Sequence, residues 1–351
     1  MKRKSVKEQI LQIFLESADE PLSGEALAGK LQVSRTAVWK AVGALREDGY
    51  RIEGTPKRGY RMIPEGPSIA PHAASSAARF NAPEIASRLE KGCRNFYDIH
   101  TVSETGSTNS DVREAGLSGA PEGYVLLAES QTAGRGRQGR AFYSPKGSGL
   151  YMSLLLRPTI PAKDAVMITA MAGVAAARAV ESLIGGTGAG KDFSVQIKWV
   201  NDLVYQGHTI CGILTEGMLS METGGFDQAV LGLGFNLSAP EGGWPEEIRG
   251  IAGGLFESPV FPSDARVRLA AAFLSEFLPL YRRLPEKTFL PEYRARMLVL
   301  GQKVDVLEPD GSSREALAEG LDDECRLLVR FPGDEFLTPL GSGEVRIRPI
   351  K

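Results

Sequence analysis

Cysteine, histidine and long apolar runs are all scarce in this sequence. Its 351 residues hold three cysteines, Cys93, Cys211 and Cys325, and no C-x-x-C. That spacing argues against a thiolate zinc site and a disulfide framework, and it suits a reducing, cytoplasmic setting. The three histidines, His72, His100 and His208, are equally scattered, so neither an imidazole metal site nor histidine catalysis is expected. No apolar run approaches the roughly 20 residues of a membrane span, and no membrane partner is expected. The opening MKRKSVKEQI has no apolar block behind its basic residues, so no signal peptide is read there. A G-K-[ST] triplet is missing too, which removes the P-loop.

What remains is ordinary globular composition, 42% hydrophobic and 24% charged, in a length that suits two or three domains. The charge is uneven. Residues 1–62 hold twelve Lys/Arg against eight Asp/Glu, a balance of +4 in a chain whose net charge is −2. A basic head on an acidic body points to a polyanion at that head.

The head, residues 1–63, is expected to be a winged helix-turn-helix. Val6, Ile10, Ile13 and Phe14 recur at helical spacing. Ser23 is placed to cap GEALAGKL, and Ser34 to cap RTAVWKAVGALRE. The last of these buries Val38, Ala41, Val42 and Leu45 and leaves Arg35, Thr36, Trp39 and Lys40 on its other face. With Ser34 these form the candidate DNA-reading surface, a helix N-terminus for the major groove. YRIE and YRMI then read as a hairpin whose tip, Lys57 and Arg58, would lie along phosphates. A helical module docking on the rest of the protein is the alternative; the basic wing favours DNA. Residues 64–82, rich in Pro, Ala and Ser, read as a linker. A short helix, PEIASRLEKG, follows.

Residues 83–298 carry apolar strand-like runs at Tyr124–Ala128, Leu150–Leu156, Val195–Trp199, Ile210–Leu214 and Val230–Phe235. Two long helical patterns interrupt them, KDAVMITAMAGVAAARAVESLIG and SDARVRLAAAFLSEFLPLYRRL. Regular strand–helix alternation is missing, so an α+β domain with a mixed sheet is expected. Residues 299–351 hold short strands split by turns, which suggests a small β-barrel.

Within the central domain, TAGRGRQGR spells a dinucleotide fingerprint at Gly134, Gly136 and Gly139. That fingerprint requires a helix to start inside it. Here RAFYSPKGSGLYMSLLLRP follows, with loop signals and then a strand. The segment reads instead as a loop that combines backbone freedom with three guanidinium groups, Arg135, Arg137 and Arg140, suited to phosphate and carboxylate. ETGSTNSD gathers hydroxyl and amide groups ahead of a helix expected from Ser110, as a helix cap, as a site for a polar, uncharged group, or as both. IKWVND puts Lys198 on a strand with Asn201 and Asp202 at its end.

Taken together these motifs resemble the bifunctional biotin protein ligases, which are also biotin operon repressors. The resemblance spans nearly the whole chain, through the winged helix and then STN, ESQTAGRGRQGR, KWVND, CGILTE and GLGFNL in the family's order. It implies activation of biotin by ATP to biotinyl-5'-AMP, then transfer to a lysine of the biotin carboxyl carrier protein of acetyl-CoA carboxylase. It further implies Mg²⁺ as cofactor, operator DNA as partner, the adenylate as corepressor, and a homodimer on adenylate binding. The implied biotin-binding residues are Ser107, Thr108, Asn109, Gln131, Arg135, Gly136, Arg137, Lys198 and Gly212. Arg137, Arg140, Lys198, Asn201 and Asn236 fall on the nucleotide side, Asp202 on the metal side, with Arg137 and Lys198 catalytic. The C-terminal barrel is SH3-like in the family. Two departures stand out. Phe142 replaces a frequent Trp, altering stacking over the ligand, and Val200 replaces a usual Pro, which is expected to loosen the turn aiming Asn201 and Asp202. A lipoate ligase, or a ligand-sensing repressor with a decayed ligase site, are the alternatives.

Overall fold

The stripe Val38, Ala41, Val42 and Leu45 is buried as its spacing requires, and it organises the first of two units. The computed structural model describes residues 5–17, 21–47, 50, 52–55, 59–62, 81–161, 164, 166–185, 194–219, 225–258, 261–307, 312–341 and 346–349. The units span Met1–Leu89 and Glu90–Lys351. In the first, helices α1 (Val6–Glu16), α2 (Gly24–Leu31) and α3 (Arg35–Glu47) precede an antiparallel hairpin of β1 (Ile52–Thr55) and β2 (Gly59–Met62). Ser23 Oγ accepts from the Ala26 N–H at 3.0 Å and Ser34 Oγ from the Ala37 N–H at 3.1 Å, capping α2 and α3. Helix α4 (Ala82–Arg88), capped by Asn81, packs on α1. Residues 63–80, most of the proposed linker, and the wing tip with Lys57 and Arg58 lie outside the described residues.

The second unit is built on a seven-stranded mixed sheet. Its strands are β3 (Asp98–Thr105), β4 (Tyr124–Gln131), β5 (Gly149–Leu156), β6 (Val195–Lys198), β7 (Asp202–Tyr205), β8 (His208–Leu219) and β9 (Phe226–Asn236). They lie in the order β3-β4-β5-β9-β8-β7-β6, with β3 and β4 parallel and every other pair antiparallel. Two of the seven, β3 and β7, were not among the five expected. DIHTVSET is too polar to show as an apolar run, and DLVY is only four residues long.

Helix α5 (Thr108–Leu117) is the crossover between the parallel strands β3 and β4, and packs Val112 against Leu126, Leu155 and Val230. It starts at Thr108, two residues before the expected Ser110. Helices α6 (Val166–Ile184) and α7 (Ala265–Arg282) pack on each other; α6 also lies on β6, β7 and β8, and α7 on β5. Helix α6 corrects the expectation that no segment comes near a membrane span. It is 19 residues long and apolar enough to cross one, but 78% of that stretch is buried in the unit, as a core helix requires. Helix α8 (Leu290–Ala295) packs beside α6.

The C-terminal strands β10 (Lys303–Leu307), β11 (Ser313–Leu321), β12 (Leu327–Arg330), β13 (Thr338–Leu340) and β14 (Arg346–Pro349) form an antiparallel sheet in the order β13-β12-β11-β10-β14. The described strands do not close into the expected barrel. No pairing joins the β13 and β14 edges, and strands of three and four residues leave little length for the stagger that closure needs.

Candidate active site

The turn from β3 into α5 carries Ser107, Thr108 and Asn109, all buried. Thr108 donates twice to Gln131 Oε1, from its backbone N–H at 2.9 Å and its hydroxyl at 3.0 Å. Gln131 Nε2 in turn donates to Ser144 Oγ at 2.8 Å. Gln131 therefore takes over the capping that Ser107, the N-cap residue, does not perform. The Ser107 hydroxyl is buried and has no hydrogen-bond partner. Such a group costs about 1–3 kcal/mol. That cost favours a ligand that supplies the missing partner, and the helix-cap reading of Ser107 falls away.

The glycine-rich segment is hairpin-like and starts no α-helix, which removes the dinucleotide fingerprint. A bridge pairs Arg135 with Ala141, the Gly136 N–H donates to Arg140 O at 2.7 Å, and a single 3-10 turn covers Arg137–Gly139. Arg135 pairs with Glu216 at 2.9 Å. Arg137 Nη1 donates to Asn201 Oδ1 at 3.1 Å. Burial pushes the Arg137 guanidinium below its usual value, opposed by the nearby Asp202 charge. Burial pushes the Asp202 carboxyl up, against Lys198, Arg137 and Arg140, which pull it down. Three cations thus surround one carboxylate, so the locality is electropositive and disposed to attract anions.

Lys198 ends β6 and pairs across the hairpin with Asp202, the first residue of β7. Four hydrogen bonds anchor the Val200 turn. Tyr293 on α8 donates to Val200 O at 3.1 Å, and Trp199 Nε1 donates to Cys325 O at 3.1 Å. Asn201 and Ile213 exchange two further hydrogen bonds, at 3.1 and 2.9 Å. The Trp199–Val200 peptide is cis.

One cleft of about 320 Å³ gathers these elements. Ser107, Thr108, Asn109, Gln131, Arg135, Gly136, Arg137, Arg140, Lys198, Asn201, Asp202, Gly212 and Asn236 all line it. Every ligase-site residue singled out in the sequence is brought to the same place. Phe142 lines it as well, and the glycines of GLGFNL explain themselves there. A Cβ at Gly234 would collide with the Phe142 ring, and one at Gly232 with Asn109 Oδ1. Sequence reasoning missed the wall formed by Trp244, Ile248, Ile251 and Ala252, whose only signal was a tryptophan among turn residues. Among the described residues no group of three His, Cys, Asp or Glu side chains is placed to hold a metal ion.

In the first unit, Arg35, Thr36, Trp39 and Lys40 are exposed along α3, as is Ser34 at its cap. Trp39 is 64% exposed, unusual for so large an apolar side chain without a partner surface.

Comparison with known proteins matches both units. Residues 6–61 match an HTH domain and residues 103–236 the biotin/lipoate A/B protein ligase family. The bifunctional ligase/repressor BirA of Bacillus subtilis is 31% identical over 330 residues, covering 93% of this chain and 94% of that protein. A biotin–[acetyl-CoA-carboxylase] ligase of Mycobacterium tuberculosis is 32% identical over 247 residues, covering 69% of this chain and 87% of that one. Among solved structures, the biotin protein ligase from Aquifex aeolicus in complex with biotin and ATP is similar with a TM-score of 0.57 and 25% identity, over 73% of this chain and 100% of that one. With a helix-turn-helix ahead of a ligase cleft, and a relative of the same design matched almost end to end, the chain belongs to the bifunctional ligase/repressors of the biotin/lipoate A/B protein ligase family.

Proposed function

We propose that the cleft joins biotin to ATP as biotinyl-5'-AMP, releasing pyrophosphate, and then gives the biotinyl group to a lysine of a biotin carboxyl carrier protein. The observation that carries this reading is the meeting in one cleft of two kinds of group: an unpartnered buried hydroxyl beside Thr108 and Gln131, and the cations Arg137, Arg140 and Lys198. The hydroxyl and amide groups suit the uncharged ureido head of biotin. The cations suit its carboxylate and the α-phosphate, two anions that repel each other. Positioning and charge compensation are then the main catalytic devices, and no covalent enzyme intermediate is needed. Asn201 and Asn236 fall to the nucleotide. Mg²⁺ would offset polyphosphate charge; Asp202 is the carboxylate available to it, so phosphate oxygens and water would supply most of its ligands. We read the C-terminal sheet as the family's SH3-like unit, serving nucleotide binding or carrier docking, and place the protein in the cytoplasm.

Incubation of the full chain with ATP, Mg²⁺ and apo carrier protein tests the enzymatic half. With biotin supplied, the carrier should gain the mass of a biotinyl group. No gain would favour a decayed ligase site. Transfer from lipoate but not from biotin would favour a lipoate ligase. Deleting residues 1–63 should leave transfer and remove operator binding.

The first unit is the repressor half, acting on a two-fold operator as a homodimer promoted by the adenylate. Equal sedimentation with and without adenylate would count against that dimer. Arg35 and Lys40 on α3 serve contact with DNA, and Lys57 and Arg58 the phosphates. Removing both wing cations should lower the slope of log affinity against log salt by about two per protomer, roughly four for the bound dimer. An unchanged slope would remove the wing from the interface.

A further inference from the structure

We propose that Glu216 is a positioning residue that latches the glycine-rich loop to the start of α5 through Arg135. The proposal rests on the biotin-ligase reading of the cleft. Glu216 and Ser153 are absent from the cleft lining, yet they join the groups that form it. Glu216 Oε2 accepts from Asn109 Nδ2 at 2.9 Å, and its Oε1 pairs with Arg135 at 2.9 Å. Ser153, fully buried, lies 2.6 Å from Asn109 Oδ1 and 2.7 Å from Thr108 Oγ1. The Thr108 hydroxyl reaches Gln131. A continuous polar chain therefore runs Gln131, Thr108, Ser153, Asn109, Glu216, Arg135. Its two ends lie four residues apart on the segment that carries the loop, so the chain closes into a ring through α5, β5 and β8. The missing side chain at Gly232 leaves the space that Asn109 fills.

The ring divides the work of the arginines. The charge of Arg135 is already compensated by a carboxylate, which makes it a poor neutraliser for a ligand anion. Arg137 donates to the Asn201 amide and lines the cleft, and the one carboxylate near it, Asp202, is shared with Lys198 and Arg140, so it is the better donor of charge. Arg135 thus anchors the loop, which sharpens the earlier assignment of both side chains to the ligand. A group bound at Thr108 and Gln131 touches the same ring, so occupancy there bears on the base of the loop.

The test uses the full chain and four variants: Glu216→Gln, Glu216→Ala, Arg135→Ala and the double Glu216→Ala/Arg135→Ala. Biotin affinity is measured by calorimetry without ATP, and adenylation by pyrophosphate release. Each alanine variant should raise Kd and KM for biotin about tenfold, the scale of coupling between directly contacting groups, with a smaller change in kcat. The double variant should be no worse than either single. Glu216→Gln keeps an acceptor for Asn109 but loses the ion pair, and should fall between wild type and Glu216→Ala. Additive losses in the double variant, or wild-type Kd in Glu216→Ala, would overturn the latch. Failure of the wild-type chain to bind biotin would instead sink the ligase reading, and the latch with it.

Discussion

Replacing Lys198 or Arg137 by alanine is expected to slow biotinyl-adenylate formation by about 100- to 1,000-fold, the loss usual when one preorganised charge or donor is taken from a transition state. The electrostatics give the same scale. Two unit charges 4 Å apart interact by about 4 kcal/mol at the effective dielectric of a protein surface. A carboxylate approaching the α-phosphate meets repulsion of that order unless cations offset it, and about 4 kcal/mol is close to a thousandfold in rate. Arg137 is held against Asn201, and Lys198 stands at the end of β6 in register with Asp202, so both cations lie at the cleft before charge shifts. Both are only partly buried, and Asp202 keeps two of its three cationic neighbours when either is removed. The variants should therefore fold, with circular dichroism and thermal unfolding near wild type. Pyrophosphate release at wild-type rates by both would end the assigned roles. Arg135→Ala is expected to act chiefly through biotin affinity, and that contrast separates a supplier of charge from an anchor.

How much of this was legible in the sequence depended on how local each signal was. The helix-turn-helix could be read because its information lies within a few residues: the caps Ser23 and Ser34, and a stripe at offsets 0, 3, 4 and 7 on α3. The strands β5 and β9 showed as apolar runs because both their faces are buried. The edge strand β3 did not, because its polar residues face outward. Members of the cleft were legible as motifs, yet their meeting depends on the order β3-β4-β5-β9-β8-β7-β6, which no spacing encodes. Glu216 lay inside a quoted motif, CGILTE, without a role. Its partners Asn109 and Arg135 are 107 and 81 residues away, and only the fold brings the three together. What anchors Val200 was hidden for the same reason. The bonds that hold its turn come from Tyr293 and Cys325, both distant in sequence.

The largest loss of stability is expected from Arg296→Ala, at about 3–5 kcal/mol, the usual cost of breaking a buried ion pair by removing one partner. Arg296 is 2% exposed. It meets Glu181 on α6 through two contacts of 2.9 Å, donates to Glu292 on α8 at 2.8 Å, and to Val195 O on β6 at 3.0 Å. Glu181, 5% exposed, also accepts the Val195 N–H at 3.1 Å. Without Arg296, that carboxylate stays buried with its charge uncompensated. The damage should reach the cleft, because the Ile197 N–H donates to Arg296 O and the Leu298 N–H to Ile197 O, so this segment flanks the strand that ends in Lys198. Burial pushes the Glu292 carboxyl up, but the hydrogen bonds and charges of Arg178 and Arg296 outweigh it and hold it below the usual range. Its stabilising share is therefore complete above the ordinary carboxylate pKa and disappears as pH falls through the depressed value; in Arg296→Ala the folded value moves back toward the ordinary one, so that acid-side loss should be smaller and end at higher pH. Replacing both charges, Arg296→Met with Glu181→Leu, removes the stranded carboxylate along with its partner and should recover much of the stability, since a well-packed apolar pair often equals a buried ion pair. Thermal unfolding followed by fluorescence, with Trp199 and Trp244 in the same unit, reads both variants. A loss below about 1 kcal/mol for Arg296→Ala, the scale of an exposed pair, would show that β6 is held by its backbone bonds and packing alone; a double variant weaker than the single would show instead that the Glu181 bond to the Val195 N–H outweighs the stranded charge.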